Sequence, residues 1–345
     1  MPIPAALARN LALPVIGAPM FIVSTPALVI AQCRAGIVGA FPALNARAPE
    51  TLAGWLAQIV AALGADAHAA PFAVNLIVHA SNPRLDEDLA ACAAQRVPLV
   101  ITSLGAPREV VPRVHDWGGL VFHDVTGVRH AEKALEAGVD GLILVCAGAG
   151  GHAGTLSPFA LVAEIRRFYA GPLALAGAIA SGAGILAAQA MGADFAYLGT
   201  RFIAAAEANA SPAYQQAVVA ATARDIVYTP YFTGVHGNYL AHSIVAAGLD
   251  PARLPERPQT PLDLAAAVAG KAWRDIWGAG QGVGSIDAVE PVAALVGRLR
   301  DEYLAARARL CATPAAIEPT PTAPPRGDLP SGGARGGPSF SREES

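Results

Sequence analysis

The side chain best placed for chemistry lies in a glycine-rich stretch of this 345-residue chain. An apolar run, GLILVC (141–146), passes into AGAGGHAG (147–154), where His152 is the only titratable residue. Small residues let a ligand approach the backbone closely, and an imidazole titrates in the range where general acids and bases work. The stretch predicts a ligand site with His152 as its acid–base group. A Cys146/His152 nucleophile pair is the weaker interpretation, because a cysteine in an apolar run is more often core.

Other polar residues stand where apolar runs end. Asn75 interrupts PFAVNLIV (71–78), and His123 and Asp124 lie near the end of GLVFHDV (119–125). These runs are nearly continuous in apolar residues, which is typical of strands buried on both faces of a parallel sheet. Eight such strand patterns alternate with amphipathic helical segments, at 13–18, 36–41, 71–78, 97–102, 119–125, 141–146, 172–178 and 195–200.

Eight strand–helix units predict an α/β fold, a (β/α)8 TIM barrel with a helical and loop cap. The phrases EAGVDGLIL (136–144) and AMGADFAYLG (190–199) repeat the same helix-to-strand transition, which favours the barrel over an open Rossmann-like sheet. Active-site residues of such barrels lie at the carboxyl ends of the strands, and phosphate often binds after strands 7 and 8. AGAIASG (176–182) and LGTRF (198–202) occupy those two places, which predicts a phosphate site.

The sequence divides into three predicted regions. Residues 1–202 are the barrel, 203–310 form a cap with the closing helix, and 311–345 are a Pro/Gly/Ser-rich tail expected to be disordered. Within the cap, the pattern predicts a loop-rich stretch over 226–261 and a helix over 262–277.

Composition excludes several classes of protein. A net charge of −3 without a long basic run argues against nucleic acid as a partner. Apolar runs break well before the roughly 18 residues a membrane helix needs, and the N-terminus lacks the pattern of a secretory signal. The four cysteines are widely spaced, which argues against a metal site or disulfides and fits the cytoplasm. The apolar cap is compatible with a homodimer.

Several motifs in this order resemble the nitronate monooxygenases, formerly called 2-nitropropane dioxygenases. The similarity runs from about residue 11 to 300, and its motifs are PVIGAPM, PFAVNLIV, FHDVTGVRHAEKALEAGVDGLIL, GAGGHAG, PLALAGAIASG, MGADFAYLGTRF and WGAGQGVGSI. The resemblance implies an FMN-containing TIM barrel that oxidises alkyl nitronates with O2 to a carbonyl compound and nitrite. By the same resemblance His152 is the active-site base or substrate-orienting group. The cofactor-binding residues it implies are Ala18, Pro19, Met20, Asn75, His123, Gly150, Gly151, Gly177, Ala178, Gly199 and Thr200, with Asn238 and Gln281 on the substrate side.

The chain departs from the family pattern at two positions. Many relatives carry a lysine after the strand-5 histidine, where this chain has Asp124, and often two glycines where it has Gly177 and Ala178. Two related activities on the same scaffold are alternatives, a flavin-dependent enoyl-acyl-carrier-protein reductase and an NAD(P)H:quinone reductase. A flavin- or phosphate-binding module without turnover is the alternative from another class, and His152 argues against it.

Overall fold

Eight parallel strands form the centre of the molecule, whose computed structural model describes residues 3–47, 51–254 and 275–312. The strands in chain order are β1 Val15–Gly17, β2 Gly39–Pro42, β3 Phe72–Val78, β4 Leu99–Leu104, β5 Leu120–Val125, β6 Gly141–Val145, β7 Gly151–His152, β8 Leu173–Ala176, β9 Phe195–Leu198, β10 Ile226–Thr229 and β11 Gly237–Leu240. The main sheet has the order β1-β9-β8-β6-β5-β4-β3-β2. A parallel bridge between Ile16 and Val38 joins its first and last strands, so the sheet closes into the predicted (β/α)8 barrel.

Helices cover the outside of the barrel between successive strands. They are α1 Ala5–Ala8, α2 Pro26–Arg34, α3 Leu52–Gly64, α4 Leu85–Ala94, α5 Val110–Asp116, α6 Val128–Glu136, α7 Pro158–Arg166, α8 Gly182–Met191, α9 Thr200–Ile203, α10 Pro212–Ala220, α11 Ala241–Ala246 and α12 Val292–Ala312. The last of these packs against α8 and α2 and completes the outer layer. None of the helices in the described ranges is long and apolar enough to cross a membrane.

Alternation along the strands separates two apolar clusters. Phe122, Phe195 and Tyr197 belong to the cluster inside the barrel, whose lower end holds Leu7 of α1. Their neighbours, such as Val121, belong to the larger cluster between strands and helices. Every second residue of a strand therefore points into the barrel, and this alternation shows which side chains at the carboxyl end do so.

All eight predicted barrel strands are present at the expected places. The segment after α10 differs from the sequence interpretation, because part of the stretch expected to be loop forms β10 and β11. These two strands join β7 in a small antiparallel sheet. Most of the helix predicted over 262–277 lies outside the described residues, as do residues 313–345 of the tail, whereas α12 extends to Ala312.

Candidate active site

A cavity of about 830 Å³ opens at the carboxyl ends of the barrel strands. Its volume lies in the range of about 300–1,000 Å³ that small-molecule sites occupy. Most of the residues singled out in the sequence line it together: Ala18, Pro19, Met20, Asn75, His123, Gly150, Gly151, His152, Gly177, Ala178, Gly199 and Thr200. Residues separated by up to 182 positions in the chain thus meet at one site, although their individual roles stay predictions.

The turn after β1 forms one wall of this cavity and is held by a buried serine and an asparagine. The amide of Met20 donates to the hydroxyl of Ser24 at 3.0 Å, and Asn45 Nδ2 donates to the carbonyl of Met20 at 3.0 Å. The amide of Ala18 donates to the carbonyl of Leu198 at 2.8 Å, which ties the turn to β9. The wall is therefore fixed without any ligand.

The glycine-rich loop after β6 packs against the loop that contains residues 278–282. A Cβ on Gly150 would lie 2.8 Å from the amide nitrogen of Gly280, and one on Gly280 would lie 2.5 Å from the carbonyl oxygen of Gly148. Gly177, in the next loop, has a φ of +144°, which favours glycine. Packing between loops therefore accounts for the small residues, whereas the sequence interpretation attributed them to the approach of a ligand.

His152 is positioned by the small antiparallel sheet. It pairs with Gly237 of β11 and lines the cavity. Its Nε2 lies 2.9 Å from the hydroxyl of Thr233, and that hydroxyl lies 3.0 Å from the carbonyl oxygen of Val235. A carbonyl can only accept, so we assign the single hydroxyl proton of Thr233 to Val235, which makes Thr233 the acceptor of Nε2–H of His152. The basic lone pair of the imidazole is then on Nδ1.

Burial lowers the pKa of His152 from 6.5 to about 4, because removal from water disfavours the charged imidazolium. The imidazole is consequently neutral at physiological pH. A neutral imidazole with a fixed tautomer is able to accept a proton at Nδ1.

The turns after β8 and β9 supply backbone amides to the cavity. Within the described residues, no hydrogen bond of the turns and loops uses the amide of Gly177, Gly199 or Thr200. The hydroxyl of Thr200 accepts from the amide of Gly280 at 2.9 Å and keeps its own proton for another acceptor. Unused amides beside a hydroxyl are suited to an anion such as a phosphate group.

Comparisons with known proteins show the family of the chain. The family model described as nitronate monooxygenase matches residues 81–302. A nitronate monooxygenase from Paraburkholderia phytofirmans is 31% identical over 303 residues, which cover 75% of this chain and 81% of that protein. The chain belongs to the nitronate monooxygenase family.

Two solved structures share the fold of this nitronate monooxygenase family member over nearly their whole length. A nitroalkane oxidase from Streptomyces ansochromogenes superposes with a TM-score of 0.73 and 28% identity, covering 88% of this chain and 100% of that one. A FabK mutant from Thermotoga maritima gives a TM-score of 0.72 and 28% identity, covering 89% and 96%. Membership of this family supports the conclusion that the chain is a flavin-dependent oxidoreductase that acts on a small molecule.

Polar side chains of this family member form the uppermost layer inside the barrel, above Phe122. Asn75 Nδ2 donates to Ser103 Oγ at 2.7 Å, and Ser103 Oγ donates to Asp124 Oδ2 at 2.6 Å. The hydroxyl of Tyr197 belongs to the same layer, and its pKa is raised by burial and by the nearby Asp124. The layer brings together β3, β4, β5 and β9.

His123 precedes Asp124 on β5, so its side chain points to the opposite face of the strand, toward the helices. Its Nδ1 lies 2.8 Å from the hydroxyl of the buried Thr102, and burial, together with His130 of α6, lowers its pKa to about 4. It borders the cavity, but Asp124 is the residue of this pair that points into the barrel. The cofactor-binding role expected of His123 stays a prediction.

Asn238 and Gln281 are not among the residues that line the cavity. The buried Asn238 donates from Nδ2 to the carbonyl of Ala149 at 2.6 Å, which positions the glycine-rich loop. Gln281 is exposed, and its amide donates to the carbonyl of Gly148 at 2.9 Å. Their substrate-side roles stay predictions.

Sequence reasoning missed three residues of the site. Ser103 and Tyr197 had a detectable signal, because each follows the interior parity of a predicted strand at its carboxyl end. Thr233 had none, since it lies 81 positions from His152 in a stretch that the sequence suggested was loop.

Proposed function

We propose that this chain is an FMN-dependent nitronate monooxygenase that oxidises alkyl nitronates with O2 to a carbonyl compound and nitrite. The observation that supports this most strongly is His152, a neutral imidazole fixed by Thr233 at the edge of a cavity with unused backbone amides. In the same proposal, residues 1–202 bind the cofactor and 203–310 complete the substrate side.

The cavity has groups that fit the phosphate and the ring of FMN. The amides of Gly177, Gly199 and Thr200 would hold the phosphate, helped by the backbone of Gly150 and Gly151. The amide of Ala178 already donates to the carbonyl of Gly148 at 3.3 Å, so Ala178 would border the phosphate without donating to it. The turn of Ala18, Pro19 and Met20 would support the ring on one side, with Asn75 nearby. Bound FMN would supply electron transfer and the reaction with O2.

His152 would take the α-proton of a neutral nitroalkane at Nδ1. Donation from Nε2–H to Thr233 leaves Nδ1 without a proton, so the neutral imidazole accepts a proton more readily than it donates to an anionic nitronate. The geometry therefore favours the role of base over that of a group that holds the nitronate. The positive charge gained by His152 is delocalised on the ring next to the hydroxyl of Thr233.

Anaerobic flavin absorbance tests the proposal. The purified protein, reconstituted with FMN, is mixed in separate cuvettes with propionate 3-nitronate and with NADH. We expect the nitronate to bleach the flavin and air to restore the absorbance with release of nitrite. Bleaching by NADH together with no response to the nitronate would overturn the proposal and indicate a reductase like FabK. Failure of FMN to bind would overturn it as well.

A further inference from the structure

Asp124 is a buried acid whose second oxygen atom has no partner. Its Oδ2 accepts from Ser103, which in turn accepts from Asn75, so the direction of this chain is fixed toward the carboxyl group. Oδ1 is buried and has no hydrogen-bond partner in the described residues. Buried polar atoms are nearly always paired, and this one belongs to a residue that lines the cavity. The unpaired atom therefore indicates a group supplied from the cavity.

Among the residues that the structure describes, no cation compensates a negative charge on Asp124. From β5 itself His123 faces the other way, from β9 Tyr197 adds a phenol, and from the glycine-rich loop His152 is neutral. His130 and Lys133 of α6 border the same cavity, but neither contributes to the titration of Asp124. Burial raises its pKa to about 7, opposed only by the hydrogen bond from Ser103.

The position of the proton follows from the hydrogen bonds. Oδ2 already accepts the short bond from Ser103, so a proton held by the carboxyl group is on Oδ1. In that form Asp124 becomes a hydrogen-bond donor in a layer where the donors of Asn75 and Ser103 are already used. Flavin rings carry carbonyl oxygens and unprotonated ring nitrogens, which are acceptors for such a donor.

We propose that Asp124 carries a proton on Oδ1 and donates it in a hydrogen bond to an acceptor atom of the bound flavin ring, so that ring binding requires this proton. The inference rests on the proposed FMN site and makes Asp124 a cofactor-positioning residue. Ser103 and Asn75 hold the carboxyl group in the orientation that presents Oδ1.

The expected signature is a pH-dependent affinity for the ring. Below about pH 7 Asp124 is already protonated in the free protein, so the dissociation constant is flat. Above that pH, binding has to recover a proton, and the dissociation constant rises by up to about tenfold per pH unit. Riboflavin is the suitable probe because it has no phosphate group that titrates near neutral pH.

The experiment measures quenching of riboflavin fluorescence by the flavin-free protein between pH 5.5 and 9, a range chosen about the pKa of Asp124. Asp124→Asn keeps a donor at the same place without a titratable proton, so we expect binding that does not change with pH. Asp301→Asn, on the exposed side of α12, should keep the wild-type profile. A flat wild-type profile, or the same profile in Asp124→Asn, would overturn the inference.

Infrared spectroscopy gives a second readout that needs no variant. The carbonyl band of a protonated carboxylic acid should titrate in the flavin-free protein and shift when riboflavin binds at pH 6, below the pKa of Asp124. A band that is absent or does not shift would overturn the inference. Failure of riboflavin and FMN to bind at any pH would overturn the proposed function as well, whereas pH-independent binding would overturn only the role of Asp124.

Discussion

The two sides of the cavity differ in what they are made of. At the ends of β3, β4 and β5 the wall consists of side chains, with Asn75, Ser103 and Asp124 linked by hydrogen bonds. At the ends of β6, β8 and β9 it consists largely of backbone, in loops so close that Gly150 has no room for a Cβ. The first side carries the titratable Asp124, whereas the second depends on backbone packing around His152, so different substitutions should separate flavin-ring binding from loop stability.

The largest expected effect concerns turnover alone. His152→Ala should keep bound FMN but lose about 10²–10⁴-fold in the oxidation of neutral nitroalkanes, the usual loss for an acid–base group. Nitrite release, measured at equal flavin content, checks this. His68→Ala, an exposed histidine outside the cavity, is the control and should behave as wild type. Unchanged turnover in His152→Ala would disprove the assigned role.

On the backbone side of the cavity, substitution of a glycine should lower the stability of the protein. In Gly150→Ala the new Cβ would meet the amide nitrogen of Gly280 at 2.8 Å, so we expect a loss of about 1–3 kcal/mol in the free energy of unfolding, measured with urea. Gly284→Ala has no atom within 4 Å of its Cβ and should lose far less. Equal losses in the two variants would show that loop packing does not explain the glycines.

Three buried groups, Asp124 and His123 of β5 and His152 of the glycine-rich loop, should determine how the stability of the flavin-free protein depends on pH. Between pH 4 and 6.5 the unfolded chain binds protons that folded His123 and His152 lack, so stability rises with pH. Asp124 acts oppositely, because its raised pKa makes the folded state hold a proton that the unfolded chain has lost. In this range the unfolded chain binds two protons that the folded state lacks, and the folded state binds one that the unfolded chain lacks. The net difference of one proton makes the free energy of unfolding rise by at most about 1.4 kcal/mol per pH unit from these groups.

Comparing the pH dependence of stability in the wild type and in Asp124→Asn isolates the contribution of Asp124, which opposes that of the two histidines. Without the acid, the slope between pH 4 and 6.5 should approach twice the wild-type value, measured by urea unfolding at several pH values. Identical slopes would mean that Asp124 is ionised in the folded protein throughout this range.

The smallest expected effect is that of the residue that orients His152. Thr233→Val removes the acceptor for Nε2–H and should lower kcat/KM for neutral nitroalkanes about 2–10-fold, the value of one hydrogen bond of about 0.5–1.5 kcal/mol. Thr233→Ser keeps the hydroxyl and should restore most of the activity. A loss of equal size in both variants would indicate a packing role instead.

The barrel could be predicted because its strands carry their own pattern. Each of the eight is an apolar run that ends in small or polar residues, and parallel pairing puts those ends at one rim. That logic placed Asn75 and Thr200 at a common site without any knowledge of contacts. The site of His152 was also predictable from its glycine-rich loop, although the reason for the glycines was not.

The rest of the site could not be predicted from the sequence, because it depends on contacts between segments far apart in the chain. Strands β10 and β11 have no strong alternation; they pair with each other, and β11 pairs with β7 in the glycine-rich loop. Thr233 reaches His152 only through that pairing. Likewise, the resemblance showed Asp124 only as a missing lysine, whereas the burial that raises its pKa arises from packing with other strands.

The pairing of β7 with β11 has a consequence for building hybrids with other members of the family. Residues 151 and 152 share a sheet with residues 237 and 238, and Tyr228 donates to the carbonyl of Ala153 at 2.9 Å. The cap is therefore not an interchangeable module on a fixed barrel. A chimera that takes 226–240 from a relative should therefore take 148–153 from the same relative. Otherwise the imidazole at position 152 would be oriented by residues that did not evolve with it.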